Sequence, residues 1–251
     1  MADVIHLRER FFSMLKKDLI FRNPLRVMGH DHEDILPVGG FGAVLARAGL
    51  GKTSLLVQLA LDGLLRGRNV LHVSLADPVR KVCLWYEEVF RNIAAQYDIQ
   101  QMDQMWETLL PHRLIMTFKK GGFSVPKLEE RLSDLAEQDI FLPRIMLIDG
   151  LPFEADDIAE TLSDLKGLAD AYGLHIWFAV RTHRDDPVGE DGMPDTVSRV
   201  AGRFDVAFQL KPDGKAILVQ TLKGGREEVP LTLVLDPSTM LVKDPAASQS
   251  A

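Results

Sequence analysis

The sequence predicts an α/β fold built on a mainly parallel, twisted sheet flanked by helices, and three observations predict it. Short apolar runs alternate with longer amphipathic stretches along most of the chain, the order of strands and crossover helices in a parallel sheet. A glycine-bearing segment, Ala46-Arg-Ala-Gly-Leu-Gly-Lys-Thr53, stands between an apolar run and a helix-like run. Beyond Val206 the strands come closer together and are separated by turn residues, which predicts an antiparallel β extension of the same sheet.

Residues 4 to 21 place Val4, Leu7, Phe11, Phe12, Leu15 and Leu19 at helical spacing, with Arg8, Arg10, Lys16 and Lys17 elsewhere on the cylinder. This is an amphipathic helical arm over 1–24. Pro24 ends it, because the residue before a proline avoids helical geometry. The apolar stripe packs either on its own domain or on a neighbouring subunit. Ala43-Val-Leu45 is the first strand and Ser54 to Leu65 the helix after the loop; Arg66-Gly-Arg-Asn69 is a polar turn before a second strand, Val70 to Leu75. Trp85 to Gln96 and Gln100 to Leu110 read as helices and Leu114 to Phe118 as a short strand. Val125 to Gln138 carries Val125, Leu128, Leu132 and Leu135 on one stripe. Ile145-Met-Leu-Ile-Asp149 is a continuous apolar run ending in a carboxylate, as in a central strand buried on both faces. A helix from Glu154 to Tyr172 and a buried strand from Leu174 to Val180 follow. The late strands are Val206 to Leu210, Ala216 to Leu222 and Leu231 to Leu235, joined by Lys211-Pro-Asp-Gly214 and by Gly224-Gly225. The main domain spans 25–243, and the small, polar residues 244–251 form a disordered tail.

With 251 residues and 46% hydrophobic content, the chain buries one main core. A formal net charge of −7 gives no general attraction to nucleic acid or to an anionic membrane. Cys83 is the single cysteine, which rules out an intrachain disulfide and a multi-cysteine metal site. The first twenty residues are charged throughout and hold no long apolar core, so neither a signal peptide nor a membrane span is read, and the expected location is cytoplasmic. His30 and His32, among Asp31, Glu33 and Asp34, read as a solvated loop in preference to a metal site.

The loop after the first strand carries the chemistry. Where a buried strand ends and a helix begins, backbone N–H groups turn inward and the first helical turn adds unpaired donors and partial positive charge. Arg47, Ala48, Gly49, Leu50, Gly51, Lys52, Thr53 and Ser54 are therefore the candidate phosphate-binding residues, with Lys52 reaching the outer phosphates and the Thr53 hydroxyl holding magnesium. The P-loop pattern GxxxxGK(S/T) is broken once, by Ala46 at the leading glycine. If that turn requires a positive φ, alanine costs about 1 kcal/mol there. A chance strand, turn and helix with a surface lysine is the plain alternative. Asp149 is expected at the end of a strand beside the P-loop strand, facing the loop and holding magnesium through water; the alternative is a helix N-cap.

Taken in order, Gly51-Lys-Thr53, Val70-Leu-His-Val-Ser-Leu75, the strand ending at Asp149, Val180-Arg-Thr-His183, Gly202-Arg-Phe-Asp-Val206 and Leu222-Lys-Gly-Gly-Arg226 resemble the RecA-like P-loop ATPases. The resemblance covers nearly the whole chain and points to the branch that contains the circadian-clock ATPase KaiC and the replicative helicase DnaB. It implies a RecA-like P-loop NTPase core, ATP and Mg2+ as cofactors, and a homo-oligomer whose sites are shared between subunits. The family's catalytic glutamate lies just beyond the second strand, which here falls on Ala76-Asp77. Asp77 is one methylene shorter, so it serves as base only with a closer backbone or a second water; a turn-forming Asp77-Pro78 is the alternative.

The resemblance also implies that Lys223 and Arg226 reach the nucleotide of the next subunit, although two glycines separate them instead of the usual single residue. A solvated hairpin tip is the other reading. Residues 180 to 201 correspond to the loop that family helicases and recombinases point into a central channel. Here it carries Asp185, Asp186, Glu190, Asp191 and Asp195 against Arg184 and Arg199, a balance that repels DNA. Arg181, Thr182 and His183 occupy the family's sensor position. The expected function is slow, magnesium-dependent ATP hydrolysis coupled to oligomerisation or to regulation of a protein client that the sequence does not identify. The alternatives are a non-hydrolysing nucleotide-dependent regulatory or scaffold module and a DNA-repair or replication ATPase.

Overall fold

Strand β1 (Phe41–Ala46) is buried along its whole length, as are β2 (Val70–Ser74) and all but the last residue of β4 (Ile145–Asp149) and β5 (His175–Arg181). Strands apolar on both faces need helices on both faces, and the chain supplies them. The computed structural model describes residues 14–17, 19–20, 23, 35–97, 101–119, 121–183, 186–189, 192–224 and 232–243. On one face, α1 (Lys52–Leu65), α2 (Val79–Gln96) and α3 (Met102–Leu109) pack on Val44, Ala46, Val70, Leu147 and Ala179. On the other, α4 (Val125–Glu137), α5 (Ile158–Tyr172) and the one-turn α6 (Asp195–Ser198) pack on Ala43, Leu45, Val73, Ile148 and Phe178. The strand residues of the two cores alternate, as the period of two requires.

With β3 (Arg113–Thr117), β6 (Val206–Asp213), β7 (Ala216–Lys223), β8 (Thr232–Leu235) and β9 (Val242–Lys243), the sheet has nine strands in the order β3-β2-β4-β5-β1-β6-β7-β8-β9. The strands from β3 to β6 are parallel and β7 to β9 antiparallel, the mixed architecture expected. One expectation of order fails: β4 does not lie beside β1, because β5 stands between them. Both strands are buried on both faces, so their apolar content carries no signal of which sits next to β1.

Several boundaries move for local reasons. Helix α2 starts at Val79, before the expected Trp85, behind Pro78 at its N-cap in an extended conformation (φ −71°, ψ 156°). Proline is tolerated at a helix start and fixes φ. Strand β6 continues through Pro212, where β1 no longer pairs with it, since β1 follows β6 only to Gln209; a proline needs such a one-sided position. Strand β9 was not expected. Of the arm, Leu19 is buried in the core of its own chain, and Asn23 Nδ2 donates to Asp62 Oδ1 on α1 at 2.8 Å. Leu15 and Ile20 pack against the same core; residues 1–13, 18, 21–22 and 24 of the arm, the histidine loop at 30–34, Arg184, Asp185, Glu190 and Asp191 of the acidic loop, Gly225, Arg226, Leu231 and the tail 244–251 lie outside the described residues.

Candidate nucleotide-binding site

The parallel register gathers the carboxyl ends of β1, β2, β4 and β5 on one rim. Ala46 lies beside Arg181, and Asp149 lies beside Ser74 and Ala179. The loop from Arg47 to Gly51 leaves β1 at that rim and turns into α1 through two glycines with left-handed backbone, Gly49 (φ 79°) and Gly51 (φ 89°). Gly51 is required twice over, since a Cβ there would also lie 2.7 Å from Leu235 Cδ2. Ala46 is different. It is the last residue of β1, 1% exposed, and does not have a positive φ. The expected strain at the leading motif position is absent, because the left-handed turns fall further along the loop.

Lys52 Nζ donates to the carbonyls of Ala46 and Arg47, each at 3.0 Å, which holds the ammonium across the mouth of the loop. Burial lowers its proton affinity, the Asp149 charge opposes that, and the Arg181 charge adds to it. Thr53 Oγ1 donates to Asp149 Oδ2 at 2.9 Å, so the helix carries its hydroxyl past β5 to the end of β4. The pKa of Asp149 is raised, chiefly by burial; the Thr53 hydrogen bond and the Lys52 charge oppose the rise, and the Asp77 charge adds to it. Lys52, Thr53, Asp149 and Asp77 are thus electrostatic neighbours. At the exit of β4, Gly150 (φ 94°) would place a Cβ 3.1 Å from Ala76 Cβ, so the backbones leaving β2 and β4 run close together.

Asp77 is fixed by its main chain. Ser74 Oγ donates to the Asp77 carbonyl at 2.9 Å and accepts from the Asp77 N–H at 3.0 Å, and Asp77 Oδ1 accepts from Lys81 Nζ at 2.9 Å. Asp77 makes the tight turn, and its charge is felt at Asp149 on the rim. Beside β1, Thr182 N–H donates to the Ala46 carbonyl at 3.0 Å, and His183 Nε2 pairs with Glu154 Oε1.

Two candidate residues point elsewhere. Ser54 Oγ donates to the Met240 carbonyl at 2.7 Å, away from the loop. Lys223 Nζ donates to the Ala201 carbonyl at 3.1 Å. Lys223 pairs with Ala207, which pairs with Ala43, so it sits about 10 Å down the sheet from Ala46 at about 3.3 Å per residue, toward the opposite rim. Lys81 was missed by sequence reasoning, although its spacing of four residues from Asp77 is the signal of a helical ion pair. The turn carrying Met240 (φ 55°) was missed too: Gln58 Nε2 donates to the Met240 carbonyl at 2.9 Å and Gln58 Oε1 accepts from Val242 N–H at 2.8 Å.

Among solved structures the chain is similar to the ATPase domain of G40P, with a TM-score of 0.55 and 19% identity over 79% of this chain and 81% of that one. The fold is RecA-like. At that identity the likeness is one of fold, and no protein-family model and no curated protein matches the chain. In a RecA-like fold the rim formed by β1, β2, β4 and β5 is the ligand end of the sheet, where parallel α/β architectures place their crevices.

Proposed function

We propose that this chain is a cytoplasmic ATP-binding protein of the KaiC/DnaB-like branch that hydrolyses ATP slowly with magnesium and couples nucleotide state to oligomerisation or to a protein partner. The observation that carries the reading is the Thr53–Asp149 hydrogen bond at 2.9 Å beside the half-buried Lys52 ammonium. A hydroxyl and a half-buried carboxylate are the hard oxygen donors that magnesium takes, and the amides of Gly49 to Ser54 with Lys52 suit a triphosphate. When bound, magnesium neutralises charge that builds on the phosphoryl oxygens.

The chain's own residues divide the work. Lys52 leaves its carbonyl partners for the outer phosphates, Thr53 and Asp149 hold the metal, and an Asp77 carboxylate oxygen accepts the proton of the attacking water. Lys223, near the far rim, and Arg226 act on the nucleotide of the next subunit, since Lys223 stands too far down the sheet to serve its own loop. Equilibrium binding of a labelled ATP analogue tests the reading: saturable, magnesium-dependent binding is expected, lost in Lys52→Ala. Binding unchanged by that substitution, or none at millimolar nucleotide, refutes it. The pairing of Asp77 with Lys81 favours one second reading, a nucleotide-dependent switch without turnover. Phosphate release that is lost in Asp77→Asn separates the enzyme from the switch.

A further inference from the structure

We propose that Lys81 is a positioning residue that masks Asp77, holding its carboxylate in an ion pair so that turnover is limited by how often the pair opens. The inference rests on the reading of Asp77 as the residue that accepts the water's proton, and adds a control element to that site. Three features carry it. The main chain of Asp77 is clamped at both its N–H and its carbonyl by Ser74 Oγ, so its side chain alone is free to turn. One carboxylate oxygen, Oδ1, already accepts from Lys81 Nζ at 2.9 Å. Lys81 is the more exposed partner, with 56% of its side chain accessible against 29% for Asp77; the lysine is therefore the partner that leaves.

Its reach extends past Asp77, because the Lys81 charge is felt at Asp149 and opposes the rise in that group's proton affinity. The other nearby ammonium, Lys52, is engaged by the Ala46 and Arg47 carbonyls. An ammonium seated on Oδ1 competes directly with a water that must present its proton to the same carboxylate. The sequence sets up this pair: Asp77 stands just before α2 and Lys81 in its first turn, where the helix dipole favours the anion and not the cation.

An exposed pair of this kind is weak and screened by salt, so masking is partial and reversible. The test is steady-state phosphate release at saturating ATP and magnesium by the full chain, by Lys81→Met, which keeps the stem and removes the charge, and by Lys81→Arg. Each is measured at about 0.1 M and about 1 M salt, where the screening length falls from about 10 Å to about 3 Å. Lys81→Met is expected to raise kcat about twofold at the lower salt, the population factor of an exposed helical pair, with KM for ATP unchanged. Lys81→Arg stays at the wild-type rate, and at the higher salt the wild type rises toward Lys81→Met.

A kcat for Lys81→Met equal to or below wild type overturns the proposal, including the case in which both bind ATP and neither turns it over. So does a gain that survives in the double variant with Asp77→Asn, or an equal gain in Lys81→Arg. A wild-type chain that binds no ATP at all fails the functional reading itself, which the binding measurement on the same samples reveals separately.

Discussion

Restoring the full P-loop pattern with Ala46→Gly separates motif reasoning from structural reasoning. Pattern matching predicts that the glycine relieves strain and tightens nucleotide binding. The geometry predicts the opposite sign for stability and no gain in affinity. Ala46 is a strand residue, paired with Arg181, and its methyl is buried in the core under α1. Glycine in a strand costs about 0.5–1 kcal/mol relative to alanine through backbone entropy. Removing a buried methyl forfeits about 0.8 kcal/mol of transfer free energy. The substitution should destabilise the domain by about 1.5 kcal/mol, a fall of roughly 3–6 °C in Tm for a chain of this size. Urea denaturation monitored by tryptophan fluorescence gives the first quantity, and titration with a labelled ATP analogue gives the affinity. Unchanged stability with severalfold tighter binding would refute the argument, because it would mean that the Ala46 backbone needs the left-handed region after all.

Two predictions concern charge buried behind the site. Burial raises the Asp149 pKa above its ordinary 3.8, so the folded state holds the proton more firmly than the unfolded state, and stability falls as pH rises from 3.8 through the folded value. Asp149→Asn should therefore be more stable than wild type at neutral pH, with the difference shrinking below pH 3.8, while the magnesium dependence of nucleotide binding disappears; a less stable variant at neutral pH contradicts this. His72 is buried on β2, accepts or donates at Nδ1 with the Tyr86 hydroxyl at 3.2 Å, and has its pKa lowered from 6.5 to about 4 by burial and then by the Arg113 charge. The unfolded chain takes up the proton first, so stability present above pH 6.5 is lost as pH falls through about 4, a contribution of about 3 kcal/mol. His72→Gln should flatten the acid side of the stability profile by that amount; parallel profiles would count against it.

Much of the site was legible because it follows from local chemistry. Ile145 to Asp149 is the strand read from its apolar run, and its terminal carboxylate meets Thr53, since the loop motif and the strand end lie on the same rim of a parallel sheet. The start of α2 was less legible: Val79 and Leu84 are exposed and Arg80 and Lys81 interrupt any stripe, so the apolar period becomes visible only once Tyr86, Val89 and Phe90 join Val82. The position of β5 between β1 and β4 was not readable, because neighbour choice among uniformly apolar strands depends on helix packing; α1 packs across both β5 and β4. The Ala46 conformation escaped for a related reason. A motif fixes residue types, whereas the φ at its first position depends on where β1 stops pairing with β5.

The contacts of Ser54 and Gln58 with Met240 and Val242 span 182 to 186 residues of chain. Leu235 closes the space beside Gly51, so the floor of a loop near residue 50 is laid by a segment far downstream in the chain. Contacts that distant form late, after the entropy of closing the intervening chain has been met. A nascent or proteolysed chain ending before Leu235 carries every residue of the phosphate motif without the support beneath it. The shape of the loop near residue 50 then depends on the segment from Leu235 to Val242.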